Sequence, residues 1–167
     1  MHRNYLKDMA KKATLQKVIL EDKVGLYSIC FEGDAENEYE KFLKKFKDNA
    51  SLNKDFRSII IALDRIVANG AFERHFRPEG KMNDHLVALS INSRRLRLYC
   101  LRMSDQVLIV GNGGIKNTKT YQECEELSGY VMDLQKFETL LQQAMADGVI
   151  SIERNIITGI EQATFTL

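Results

Sequence analysis

Arg97 is a lone cation between Leu96 and Leu98. In a strand, neighbouring residues face opposite sides, so this guanidinium is set on the face away from the two leucines. A planar, bidentate donor of that kind matches a phosphate group. Lys81 and His85 lie in the segment that enters the next strand upstream, and Lys116 follows the run Gly111–Gly114 downstream. Lysine and arginine stabilise developing negative charge, and an imidazole has an ordinary pKa suited to moving protons. Each group also has a plainer reading. Arg97 can sit on an ordinary solvent face, His85 can be a structural histidine at a strand edge, and Lys116 can simply keep a loop soluble. Tyr99 shares the Arg97 face by the same alternation and can stack on a base, bond a phosphate, or be a partly buried sheet tyrosine. Gly111–Gly114 can form a backbone nest for phosphate or a bulge at a strand exit. It does not follow the Walker spacing, so nucleoside triphosphate binding is not expected.

These residues belong to a wider charge asymmetry. Between Arg74 and Lys119 there are nine Lys/Arg (Arg74, Arg77, Lys81, Arg94, Arg95, Arg97, Arg102, Lys116, Lys119) against three acids (Glu79, Asp84, Asp105), a surplus of six positive charges. The whole chain carries a net charge of only +1. A nearly neutral protein with its cations gathered in one segment has a directed field whose natural ligand is a polyanion. An acidic protein partner and a merely solvated face are the alternatives.

The elements that must position this chemistry are legible in outline. A length of 167 residues with 44% hydrophobic and 28% charged residues fits a single globular domain with its own core. There is no apolar run of the roughly 20 residues that a membrane span needs, and no leader pattern at Met1–Lys17. Cys30, Cys100 and Cys124 are odd in number and far apart, which argues against a disulfide framework, a metal site or a secreted protein. No metal or cofactor is expected, and the cytoplasm is the expected compartment. Val18–Glu32 reads as one or two strands. Asp34 is the expected cap of a helix reaching about Asn49, with Tyr39, Phe42, Leu43 and Phe46 on one face. Phe56, Ile59, Ile60, Leu63, Ile66 and Val67 give a second helix, Asn53–Asn69, stopped by Gly70. His85–Ile91, Leu96–Met103 and Gln106–Val110 read as three antiparallel strands. Thr120 and Glu123 fit a capping box for a helix ending at Asp147–Gly148, which Gly129 divides or interrupts. Strand-like pieces follow at Val149–Ile152 and Ala163–Leu167. The expected class is α+β: an N-terminal strand and helical hairpin packed on a curled, mostly antiparallel sheet, with a C-terminal helix and a strand-like tail.

This order, with Arg77–Lys81 leading into Leu86–Leu89, then Leu96–Tyr99, then Val107–Val110 running into Gly114–Thr120, resembles the RelE/HigB-like toxins of the RelE/ParE superfamily. The resemblance covers about residues 27–141 by pattern, and its specific part is Arg77–Thr120. It implies one domain over 1–167, with additions at about 1–17 and about 148–167. It also implies a toxin of a toxin–antitoxin system, acting as a metal-free, ribosome-associated mRNA endonuclease whose nucleophile is the RNA 2′-hydroxyl. Arg97, Lys81, His85 and Lys116 are then the catalytic candidates, and Arg77, Tyr99, Arg95 and Lys119 the RNA-binding ones. The implied partners are mRNA, on the ribosome or off it, a cognate acidic antitoxin, and a second copy in a homodimer, with no membrane. A non-catalytic, protein-binding member, either gyrase-inhibitor-like or a degenerate phage-derived homologue, stands as the alternative. The two differ in geometry. RNA cleavage needs Lys81, Arg97 and Lys116 in one concave patch, whereas protein binding sets cations around exposed apolar residues.

Overall fold

The computed structural model describes residues 10–80, 84–89, 95–116 and 124–167. Two antiparallel strands, β1 (Lys12–Leu20) and β2 (Gly25–Phe31), lead into α1 (Glu38–Phe46) and α2 (Asn53–Asn69). Then come β3 (Phe76–Pro78), β4 (Leu86–Leu89), β5 (Leu96–Arg102) and β6 (Val107–Ile115), consecutive neighbours among these four pairing antiparallel. After α3 (Glu125–Ala146), β7 (Ser151–Glu153) and β8 (Ile156–Thr158) form a separate hairpin, and β9 (Phe165–Thr166) returns to the main sheet. The seven-stranded sheet has the order β3-β4-β5-β6-β2-β1-β9. Among the described residues its one parallel pairing is β2 with β6, in register from Gly25–Val107 to Ser28–Val110. The protein is therefore α+β with a mostly antiparallel sheet, as its pattern of elements indicates.

The helical layer of α1 and α2 covers one sheet face, where Phe42, Ile59, Leu63 and Ile66 pack on Leu26, Leu98, Cys100, Leu108 and Val110. The opposite face is not open. Val131, Leu134, Phe137 and Leu141 of α3 lie over Tyr27, Ile29, Tyr99, Leu101 and Ile109. The reason is visible in β5 and β6, which are apolar on both sides and need cover on both, as central strands do. Among the described residues no helix is long and apolar enough to cross a membrane.

Several local expectations change. The cap of α1 is Asn37, not Asp34: Asn37 Oδ1 accepts the Glu40 N–H at 2.8 Å, and Glu40 Oε1 accepts the Asn37 N–H at 3.0 Å. This reciprocal pair needs a Glu three residues on, which Asn37 has; Asp34 instead pairs with Lys41. The first strand begins at Lys12, ahead of the expected Val18, and pairs with β9 at Lys12–Thr166 and Ala13–Phe165. β6 runs five residues past Val110. Thr120 and Glu123 lie outside the described residues.

α3 passes through Gly129 unbroken, because its buried stripe Leu127, Val131, Leu134 continues on both sides. A Cβ added at Gly129 meets nothing within 4 Å. Gly129→Ala is therefore expected to stabilise the protein by about 0.5–1 kcal/mol, the helical cost of glycine relative to alanine. The urea midpoint should rise with an unchanged slope, and a fall would show that alanine at 129 disturbs the helix or its packing.

Candidate functional site

The cations of the basic segment are sorted by the ladder. Arg77 on β3 is in register with Ala88 on β4, and Ala88 with Tyr99 on β5, so this row crosses three strands. Arg97 lies two residues from Tyr99 and therefore on the same face, in register with Gly114 of β6. Lys116 follows immediately after β6, and its N–H donates to Arg95 O at 2.6 Å. Arg77, Arg97 and Lys116 thus gather at one end of the sheet, on the face that α3 covers.

Their electrostatics show that they interact. Burial, and then the charge of Arg77, push the Arg97 guanidinium below its ordinary pKa. Burial, and then Arg97 and Arg77, push the Lys116 amine down. Glu79 acts in the opposite sense on both, and its Oε1 accepts from Arg77 Nε at 2.9 Å. Arg77 Nη2 is buried without a hydrogen-bond partner among the described residues. The pKa of Tyr99 is raised by burial, then by Glu79, and held back by Arg97 and Arg77. Like charges brought together away from bulk water favour an anion that would neutralise them.

The glycine run is structural in its details. Leu98 pairs with Gly113 and Cys100 with Val110, so Gly111 and Asn112 both stand opposite Tyr99 and form a bulge. A Cβ on Gly113 would lie 1.8 Å from Arg97 O, and one on Gly111 would lie 2.9 Å from Leu134 Cδ1. These glycines let β5 and α3 approach β6 closely. Beyond Val110, β6 has no β2 partner, and Lys45 of α1 takes its place, donating to Gly113 O at 3.2 Å, to Glu126 Oε1 at 2.9 Å and to Tyr130 Oη at 3.0 Å.

Not every candidate joins this cluster. Lys81 and Lys119 lie outside the described residues. Arg95 is exposed, with its N–H donating to Asp55 Oδ2 at 3.3 Å. Tyr99 is only 1% exposed, so its ring is core and not a platform for a base. His85 is at the other end of β5, where its carbonyl accepts the Arg102 N–H at 2.9 Å. Five residues of strand, roughly 16 Å at about 3.3 Å per residue, separate that point from Arg97. His85 and Arg97 therefore do not meet on one phosphate.

His85 is instead held by Glu138 of α3. Its N–H donates to Glu138 Oε1 at 2.9 Å, and its Nδ1 contacts Glu138 Oε2. Sequence reasoning passed over Glu138, although a signal was there: it is a lone acid within the stripe Leu134, Phe137, Leu141, and an acid on a buried face needs a partner. Among the described residues no group of three or more His, Cys, Asp or Glu side chains is placed to hold a metal.

Fold and site together define a mixed α+β domain with a cationic cluster at one end of its sheet. Comparison with known protein families, curated proteins and solved structures finds no match.

Proposed function

We propose that this protein is a toxin of the RelE/HigB-like type that binds and cleaves mRNA without a metal, using the 2′-hydroxyl of the substrate as nucleophile. The observation that carries this reading is the gathering of Arg77, Arg97 and Lys116, in which Arg77 works against the charged form of Arg97, and Arg97 and Arg77 against that of Lys116. A phosphodiester backbone brings negative charge to these cations, and the guanidiniums supply the donors that position it. The order of elements, a strand, a helical hairpin and an antiparallel sheet, agrees with the resemblance. Among the described residues, the exposed large apolar side chains Ile19, Leu20, Ile61, Met132, Val149 and Ile156 all lie outside the basic segment. This favours a polyanion over a protein interface, where cations would rim an apolar core.

The test is induced expression with and without the neighbouring reading frame, followed by mapping of mRNA ends. The proposal expects growth arrest with new cleavage ends, relieved by the neighbouring frame. Arrest without new ends, accompanied by gyrase inhibition, would move the protein to the non-catalytic branch. Absence of arrest would leave a binding module only.

A further inference from the structure

Cations held together away from bulk water call for a counter-charge even before RNA arrives, and the fold supplies one. We infer that Glu79 is a built-in competitor of the RNA phosphate: its carboxylate occupies Arg77 in the free protein and limits how tightly the cation cluster grips a single strand. The inference rests on the functional reading above and concerns the regulation of that same site.

The place of Glu79 follows from the strand that carries Arg77. Its N–H donates to Leu86 O at 3.2 Å, which carries the β3–β4 ladder one residue past Pro78. Residues two apart in an extended strand share a face, so Glu79 lies with Arg77, while Phe76 and Pro78 take the other side. Glu79 Oε1 accepts from Arg77 Nε at 2.9 Å. The carboxylate is the deeper partner of this pair, its side chain 12% exposed against 42% for Arg77. Of the three acids in the basic segment, Asp105 pairs with Arg102, and Asp84 lines a cleft with His85. Glu79 is the one whose charge reaches both Arg97 and Lys116.

An incoming strand meets this carboxylate in two ways. A guanidinium holds phosphate most strongly through two parallel N–H groups, and Glu79 already takes the Nε donor of Arg77. A phosphate seated on the Arg77 fork therefore displaces Glu79. The carboxylate also sets a negative charge beside the phosphate, and like charges in a partly desolvated site repel. Arg77, Arg97, Lys116 and Glu79 together carry +2, and they carry +3 once that carboxylate is neutralised. A cluster restrained in this way releases a cut strand more readily than a fully cationic one.

The probe is a 2′-deoxy single-stranded oligonucleotide, which lacks the nucleophile, with binding to the full chain followed by fluorescence anisotropy. Glu79→Gln keeps an oxygen for Arg77 Nε and removes the charge. It should bind the oligonucleotide about fivefold more tightly at low salt, the scale of one charge pair partly in water. The gain should shrink as salt rises above about 0.1 M, where the screening length is about 10 Å. Equal or weaker binding by Glu79→Gln, shown to be folded by circular dichroism, overturns the inference. A second measurement needs no variant. In the unmodified protein the ¹⁵Nε signal of Arg77 should shift on binding, as phosphate replaces Glu79. A bound strand that leaves this signal unmoved also overturns the inference. If the unmodified protein binds neither this strand nor its RNA counterpart, the functional reading itself falls and the inference with it.

Discussion

Arg97→Ala is expected to reduce RNA cleavage by roughly 100-fold or more while the protein stays folded. A hydrogen bond to a charged group contributes about 1.5–3 kcal/mol, and a bidentate guanidinium on phosphate makes two. Loss of one phosphate contact should also flatten the dependence of log affinity on log salt by about 0.7 for a single strand. The fold should tolerate the change. Burial and neighbouring cations lower the pKa values of Arg97 and Lys116, so folding works against both charged forms. Removing Arg97 relieves Lys116 wherever that amine is charged, below its folded pKa, and the relief disappears at alkaline pH where Lys116 is neutral. The urea midpoint at neutral pH should therefore hold. An Arg97→Ala protein with full cleavage would remove the residue on which the functional proposal depends.

The largest stability effect is expected at Phe137. Its side chain is fully buried between α3 and the sheet and meets Phe165 edge-on at 4.8 Å between ring centroids, tying the tail to the core. Phe137→Ala opens a cavity that this packing can only partly close, at a cost of about 3–5 kcal/mol. For a chain of this size that corresponds to a fall in melting temperature of roughly 6–20 °C. A scanning calorimetry trace within about 1 kcal/mol of the unmodified protein would mean that α3 is not a principal part of the fold. Because Glu138 is the next residue, a loosened α3 should also weaken the hold on His85, which gives the two sites a common dependence on this helix.

How far the sequence reaches can be judged from particular elements. α2 is readable from Asn53 to Asn69 because its stripe recurs at helical spacing and Gly70, at φ 136°, ends it. The three strands of the basic segment are readable because short polar connections separate apolar alternations. The cap of α1 is not legible locally, since Asp34 and Asn37 are both good caps and only the reciprocal bond to Glu40 separates them. The gathering of cations in one segment is plain from composition, and the alternation of β5 places Arg97 with Tyr99.

Tertiary structure alone decided the rest. Nothing local in β2 says that it lies parallel to β6, since strands buried on both faces look alike whichever neighbour they choose. Nothing local in β5 says that α3 covers its second face and turns Tyr99 into core. The separation of His85 from Arg97 follows from register, and the pairing of His85 with Glu138 spans 53 residues. Periodicity records which side of an element is buried. Which buried side meets which is set by the joint packing of apolar faces across the whole chain, and that packing brought Arg77 and Lys116 to Arg97 and gave His85 a carboxylate.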